Sequence, residues 1–234
     1  MELCFIMDEN IFSRTQILIG EAGIERLKNS KIAVIGLGGV GSFAVEAFAR
    51  AGVGELVIVD HDVVMPSNLN RQIHATHSTV GISKVDAMKA RISDINPSAK
   101  VIGIKEFYSS ENASAILDSN FDYVVDAIDT LKSKIDLITY CIHLSIPIIS
   151  AMGAGNKLDP LKFQVADISN THTCPMARKI RKELRKIGIE KGLKVVFSTE
   201  IPITRHYPPG SISFVPSAMG LIVAGEVIRD LIKN

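Results

Sequence analysis

The sequence predicts an α/β fold: a mostly parallel sheet with helices on both faces, closed by a C-terminal strand and helix extension. Three observations predict it. Short apolar runs rich in Val and Ile alternate with stretches of helical period. A glycine-rich turn, GLGGVG at 36–41, joins the first such run to the first helical stretch. Hydrophobic residues make up 47% of the 234 positions, enough to build a packed core and too many for a disordered chain.

Taken in order, the chain opens with a helical arm over 1–29, whose helix is expected near 21–28. Strands are expected at 31–35, 56–59, 100–104, 123–125 and 146–149, where β-branched residues run together. Helices are expected between them at 40–51, 84–95, 110–117 and 131–143. This strand–helix alternation is the pattern of a parallel sheet covered on both sides. From about residue 155 the alternation weakens. NKLDPLKFQVADIS reads as loop and strand, and CPMARKIRKELRKIGIEKG as a basic helix starting near Pro175, since proline suits a first helical turn. LKVVFST reads as a strand and RHYPPGS as a turn-rich loop. The closing apolar stretch at 219–232 carries Glu226, Arg229 and Asp230, so it reads as a buried helix, too short and too charged for a bilayer. With no repeat or linker, 1–234 is expected to form one domain, 155–234 being its C-terminal extension.

Composition narrows the function classes. A net charge of +1 gives no bulk attraction to nucleic acid, so any such surface is a local patch. The three cysteines, Cys4, Cys141 and Cys174, form no C-x-x-C pair, which argues against a cysteine zinc site and suits a reducing, cytoplasmic setting. MELCFIMDEN has no long apolar segment of the secretory kind. Neither secretion nor membrane attachment is expected. Cys141 lies in an apolar helical stretch and is expected in the core.

Gly36-x-Gly38-x-x-Gly41 follows a strand and opens a helix, a Rossmann-like nucleotide turn to which Gly39 also belongs. Glycines let the backbone approach phosphate, and the free N–H groups of the helix start favour an anion. Asp60 ends the next strand, where an acid holds ribose hydroxyls, and Asp62 follows in the same loop. The turn alone does not choose among NAD, FAD, S-adenosylmethionine and ATP.

The residues that follow are suited to breaking a triphosphate, because nucleotidyl transfer needs cations and a metal where charge gathers on the α-phosphate and the departing pyrophosphate. Arg71 can make forked bonds to phosphate, Asn68 and Gln72 are neutral donors, and Lys84 is a mobile charge at a helix start. Asp129 follows a strand, at the end of the sheet where ligands bind, and suits Mg²⁺ shared with phosphates. His74 lies near this loop and is assigned no chemistry.

GLGGVGS, DHDVVMPSNLNRQ, GISKVDAMKARISDINP and VVDAIDT together resemble the ubiquitin-activating-type, ThiF-like adenylating enzymes, over most of the chain. The resemblance implies attack of a carboxylate on the α-phosphate of ATP, giving an acyl-adenylate and pyrophosphate. It implies that Asp60 holds the ribose, that Asn68, Arg71, Gln72 and Lys84 contact the phosphates, and that Asp129 binds Mg²⁺. Arg14 matches an arginine that reaches the triphosphate of the neighbouring subunit, which implies a homodimer with Arg14 acting in trans.

Members serving sulfur-carrier proteins usually carry two zinc-binding C-x-x-C pairs, absent here. SNLNRQIHA, YCIHLSIPIISAMGAGNKLDP, ARKIRKELRK and GSISFVPSAMGLIVAGEVIRDL resemble instead the tRNA threonylcarbamoyladenosine dehydratase branch. That implies a tRNA substrate whose threonyl carboxylate is adenylated and whose neighbouring carbamoyl group closes a ring and expels AMP. Arg178, Lys179, Arg181, Lys182, Arg185 and Lys186 then become candidate RNA contacts. Cys174 opens that helix, with a structural role expected, and the backbone of SAMGAG at 150–155 is a candidate seat for a monovalent cation. The alternatives are an adenylyltransferase for a ubiquitin-like sulfur-carrier protein, with that carrier or a sulfur-transfer protein as partner, an NAD-dependent oxidoreductase, and a non-catalytic scaffold. The second leaves Arg71, Lys84 and Asp129 without a task; the third leaves their retention unexplained.

Overall fold

A computed structural model describes residues 11–204, 206 and 208–233. Cys4 and the rest of the N-terminal decapeptide lie outside the described residues. Strands β1 (Lys31–Ile35), β2 (Glu55–Val59), β3 (Lys100–Ile104), β4 (Tyr123–Asp126), β5 (Ile148–Ala151), β6 (Phe163–Asp167) and β7 (Lys194–Ser198) form one sheet in the order β3-β2-β1-β4-β5-β7-β6. All pairings are parallel except β6 with β7.

The central strands are apolar throughout because both faces are covered. Successive side chains enter opposite layers: Ile32, Val34, Leu56 and Ile58 pack into one, Ala33, Ile35, Val57 and Val59 into the other. The first layer is completed by α2 (Gly41–Ala51), α3 (Lys84–Ile95) and α7 (Phe214–Lys233), the second by α5 (Leu131–His143) and α6 (Pro175–Lys186). α7 lies so close to α2 that a Cβ at Gly220 would stand 2.3 Å from the Val40 carbonyl oxygen. Its charged residues serve the fold. Asp230 accepts hydrogen bonds from Tyr123 at 2.9 Å and Lys194 at 2.5 Å, tying α7 to β4 and β7. Among the described residues no helix is long and apolar enough to cross a membrane.

Three elements depart from expectation. The N-terminal helix α1 runs from Ser13 to Lys28, twice the expected length, with a break at Gly20, which takes φ 73°. The fifth strand begins at Ile148 instead of residue 146: Pro147 has no N–H to enter the ladder, although its carbonyl accepts from Val124. The helix expected at 110–117 shrinks to one turn, α4 (Ala113–Ile116). There the Asn112 side chain accepts from the Ser109 N–H and donates to the Phe107 carbonyl, bonds that favour a turn over a helix start.

The C-terminal strand and helix extension from 155 onward is built into the sheet and its core. β7 lies directly beside β5, and α7 contributes Met219, Val223 and Val227 to the core. The strand order reverses between β1 and β4, and a crevice opens beyond their carboxyl ends.

Candidate active site

That crevice is a cavity of about 560 Å³. One wall comes from the loops after β1, β2 and β4, the other from the loop after β5, the start of α6 and the segment preceding α7.

The first wall starts at the glycine turn. Gly36 has φ 95°, and a Cβ there would sit 2.7 Å from the Ala127 carbonyl oxygen; a Cβ on Gly41 would sit 1.8 Å from that of Gly36. Gly36 thus brings the turn against the loop after β4, and Gly41 seats α2 on the turn. A Cβ on Gly38 would meet nothing within 4 Å, so its absence keeps the turn open to a ligand. Gly36, Gly38 and Gly39 line the cavity; Gly41, expected with them, lies beneath the turn and does not.

Asp60 locks this turn. Its carboxylate accepts the Leu37 N–H at 2.7 Å and the Asp62 N–H at 2.8 Å. Each oxygen keeps a second lone pair for a ribose hydroxyl. Lys84 is buried, with its Nζ 2.6 Å from Asp62 and 3.9 Å from Asp60. The two acids therefore hold its ammonium at the cavity edge. Asp60, His61 and Asp62 cluster closely enough for a cation, but Lys84 already supplies the positive charge there.

The 3₁₀ turn Pro66–Asn68 shapes the side of the same wall. Asn68 accepts the Met65 N–H through Oδ1, and its carbonyl accepts the N–H groups of Arg71 and Gln72, so one turn presents all three side chains. The Arg71 guanidinium rests on the Ser67 carbonyl at 2.8 Å and on Asn70 at 2.9 Å, both neutral acceptors. Gln72 is buried, and its Oε1 has no partner among the described residues. His74 is buried behind this wall, with neither ring nitrogen bonded among the described residues; burial, then the charges of Lys84 and Arg91, depress it to about 4 and keep it neutral. It does not line the cavity.

Asp129, on the loop after β4, is exposed, and among the described residues its carboxylate is bonded only to the Thr130 hydroxyl at 3.4 Å. A carboxylate this free suits a hard cation that is also held by phosphates. What sets its loop was not visible in the sequence. Asp126, Lys134 and Ser150 are fully buried beneath it. Asp126 accepts from Lys134 at 2.7 Å, from Ser150 at 2.6 Å and from the Ile128 N–H at 3.1 Å. Burial pushes the Asp126 carboxyl up, while Lys134 and the hydrogen bonds oppose that shift.

The second wall comprises residues 151–157, Cys174, Pro175, Met176, Pro202, Pro209, Ser211 and Pro216. Gly155 allows its loop to meet Pro209, with a Cβ reaching within 2.8 Å. Lys157, buried here, was missed by sequence reasoning: an isolated lysine after a turn carries no local signal. Cys174 is buried in this wall, and Cys141 is in the core as expected.

Two sets of expected residues stand apart from the cavity. Arg14 is exposed on α1 and is absent from the cavity lining of its own chain. The basic residues are on α6, which buries Ala177, Ile180 and Leu184 and exposes Arg178, Lys179, Lys182, Arg185 and Lys186. Arg181 departs from the exposed set. It is half-buried and donates to the Thr171 carbonyl at 2.8 Å and to the Thr171 hydroxyl, capping the preceding loop. Lys186 is paired with Glu183 at 2.7 Å.

The ThiF family model matches residues 12–234. A tRNA threonylcarbamoyladenosine dehydratase of Bacillus subtilis is 51% identical, over 95% of both chains. One from Escherichia coli is 39% identical, over 81% of this chain and 73% of its own. A crystal structure of the E. coli tRNA N6-threonylcarbamoyladenosine dehydratase in complex with ATP superposes with a TM-score of 0.90 at 34% identity, covering 95% of this chain and 93% of the other.

Proposed function

The chain belongs to the ThiF family, and from that premise we propose that it is an ATP-dependent tRNA threonylcarbamoyladenosine dehydratase. The observation that carries this reading is the meeting of Arg71, Lys84 and Asp129 around one cavity with the glycine turn. A hydride-transfer enzyme has no use for that set, whereas attack on an α-phosphate does.

The glycine turn and the start of α2 receive the phosphates, and Asp60 takes the ribose. The threonyl carboxylate of the modified adenosine attacks the α-phosphate, and pyrophosphate leaves. Arg71 and Lys84 stabilise the charge that builds on the phosphoryl oxygens. Asp129 would hold Mg²⁺, which neutralises the departing pyrophosphate when bound. The neighbouring carbamoyl group then attacks the acyl carbon and expels AMP, so the nucleoside loses one water. No enzyme nucleophile is needed, because the second nucleophile is tethered beside the first. The exposed cations of α6 meet the tRNA backbone, and a tRNA substrate fits a cytoplasmic site of action. Arg14 completes the site of a second subunit in a homodimer.

The test is mass spectrometry of tRNA nucleosides after incubation with protein and ATP. The expected result is threonylcarbamoyladenosine lighter by one water, with one AMP released per nucleoside converted. Unchanged nucleosides, with pyrophosphate released only on adding a ubiquitin-like carrier protein ending in Gly-Gly, would establish the sulfur-carrier alternative.

A further inference from the structure

Among the described residues three lysines are buried: Lys84, Lys134 and Lys157, exposed by 5%, 0% and 4%. An ammonium removed from water is costly unless a carboxylate answers it. Lys84 is answered by Asp62 and Lys134 by Asp126. Among the described residues Lys157 has no such partner within salt-bridge distance. Its Nζ donates to the backbone carbonyl of Glu200, a neutral acceptor. The Glu200 carboxylate is taken instead by the N–H groups of Leu158 and Asp159, each at 3.0 Å. Burial pushes the Lys157 pKa down, and the nearby Cys174 and Glu200 side chains oppose that shift.

Lys157 also has a distinctive position. Among the described residues it is the one charged side chain on the second wall, whose other residues are small, apolar or proline apart from Asn156. Of the first-wall cations, Lys84 is paired with acids, and Arg71, which also rests on neutral oxygens, is only half-buried and keeps contact with water. The carboxylates that line the cavity, Asp60, Asp62, Glu106 and Asp129, all belong to the other side, so among the described residues the second wall offers Lys157 no carboxylate of its own.

We propose that Lys157 is the residue that binds the carboxylate of the substrate opposite the α-phosphate. The inference rests on the functional reading above and deepens it. The substrate carries one carboxylate, which has to leave water to reach ATP, and a lysine already desolvated accepts it with little further cost. A single ammonium holds one oxygen and leaves the other free to attack. Once the acyl-adenylate forms, the carboxylate charge is gone and the contact lapses, so Lys157 acts on the first half-reaction.

The experiment compares two tRNAs, one carrying threonylcarbamoyladenosine and one with plain adenosine at that position, each bound in the presence of a non-hydrolysable ATP analogue. Lys157→Gln keeps a donor for the Glu200 carbonyl and removes only the charge. Lys157→Met, which keeps the stem, is used if that variant does not fold. The wild type is expected to prefer the modified tRNA, and loss of a buried charge partner to cut that preference by about tenfold or more. Affinity for unmodified tRNA and for the ATP analogue stays unchanged, and Lys157→Arg retains part of the preference. A variant that keeps the full preference, or that weakens both tRNAs and the ATP analogue alike, overturns the proposal; the second result marks Lys157 as a loop tether. A wild type that shows no preference and makes no AMP from modified tRNA overturns the functional reading itself.

Discussion

The two walls of the cavity are built by different rules. The nucleotide wall is local. Its glycines fall within six residues of chain, and Asn68, Arg71 and Gln72 are set by one turn whose backbone hydrogen bonds span three or four residues. The acceptor wall is non-local: Lys157 is held by a carbonyl 43 residues away, and Gly155 packs on Pro209. The first wall offers a ligand backbone N–H groups, Arg71 and Lys84, and the second a mostly apolar surface with one charge, Lys157. A wall written in consecutive residues serves the part of the reaction common to all ATP users. The wall assembled across the chain is left to define which carboxylate enters.

A buried hydrogen-bond cluster joins the two walls from beneath. Asp126, at the end of β4, supports the loop of Asp129 through Ile128 and is hydrogen-bonded to Ser150, one residue before the acceptor wall. Removing one partner of a fully buried pair leaves an uncompensated charge, so Lys134→Ala is expected to cost about 3–5 kcal/mol of stability, read from urea unfolding. It should also lower ATP affinity and tRNA discrimination together. A stable variant impaired in only one of the two would show that the walls are independent. Arg71→Ala and Lys84→Ala should instead break the nucleotide wall alone. AMP formation falls by about 100-fold or more, the range for losing a preorganised charge donor, while the fold and tRNA affinity persist. Full activity in either variant would remove the adenylation reading.

The same contrast explains what could be read from the sequence. Strands β1, β2 and β3 and helices α2, α3 and α5 were legible to within a residue, because period and turn chemistry are local signals. So were Asp60, Asn68, Arg71, Gln72, Lys84 and Asp129 as neighbours of one site. Lys134 and Lys157 were not, since in sequence they look like any other lysines; only burial and the presence or absence of a carboxylate separates them. Arg181 was grouped with its neighbours on charge alone, though helical geometry turns it inward towards Thr171.

A third region extends the comparison beyond one chain. Arg14 is exposed and absent from the cavity lining of its own chain, so a role at the triphosphate requires a partner subunit. Arg14→Ala and Asp129→Ala proteins, each inactive, should recover about a quarter of wild-type AMP formation when mixed equally, because half the dimers are hybrid and each hybrid keeps one intact site. No recovery, with subunit exchange confirmed by mass, would place Arg14 outside the site.

The smallest expected effects concern α6, where one helix carries two kinds of arginine. Arg178 and Arg185 are exposed and make no ion pair among the described residues, so neutralising either should weaken binding of all tRNAs by a few-fold. It should also flatten the salt dependence of log affinity by about one unit for each phosphate no longer neutralised. The weakening should be equal for modified and unmodified tRNA, since phosphates carry no information about the nucleoside. Arg181 should behave differently. Its guanidinium caps the loop that leads into α6, so Arg181→Ala should lower the unfolding midpoint and change the salt slope little. If Arg181→Ala flattened the slope as much as Arg178→Ala, its bonds to Thr171 would have to open when RNA binds. The basic helix would then act as one surface, with no distinction between an anchoring and an RNA-facing arginine.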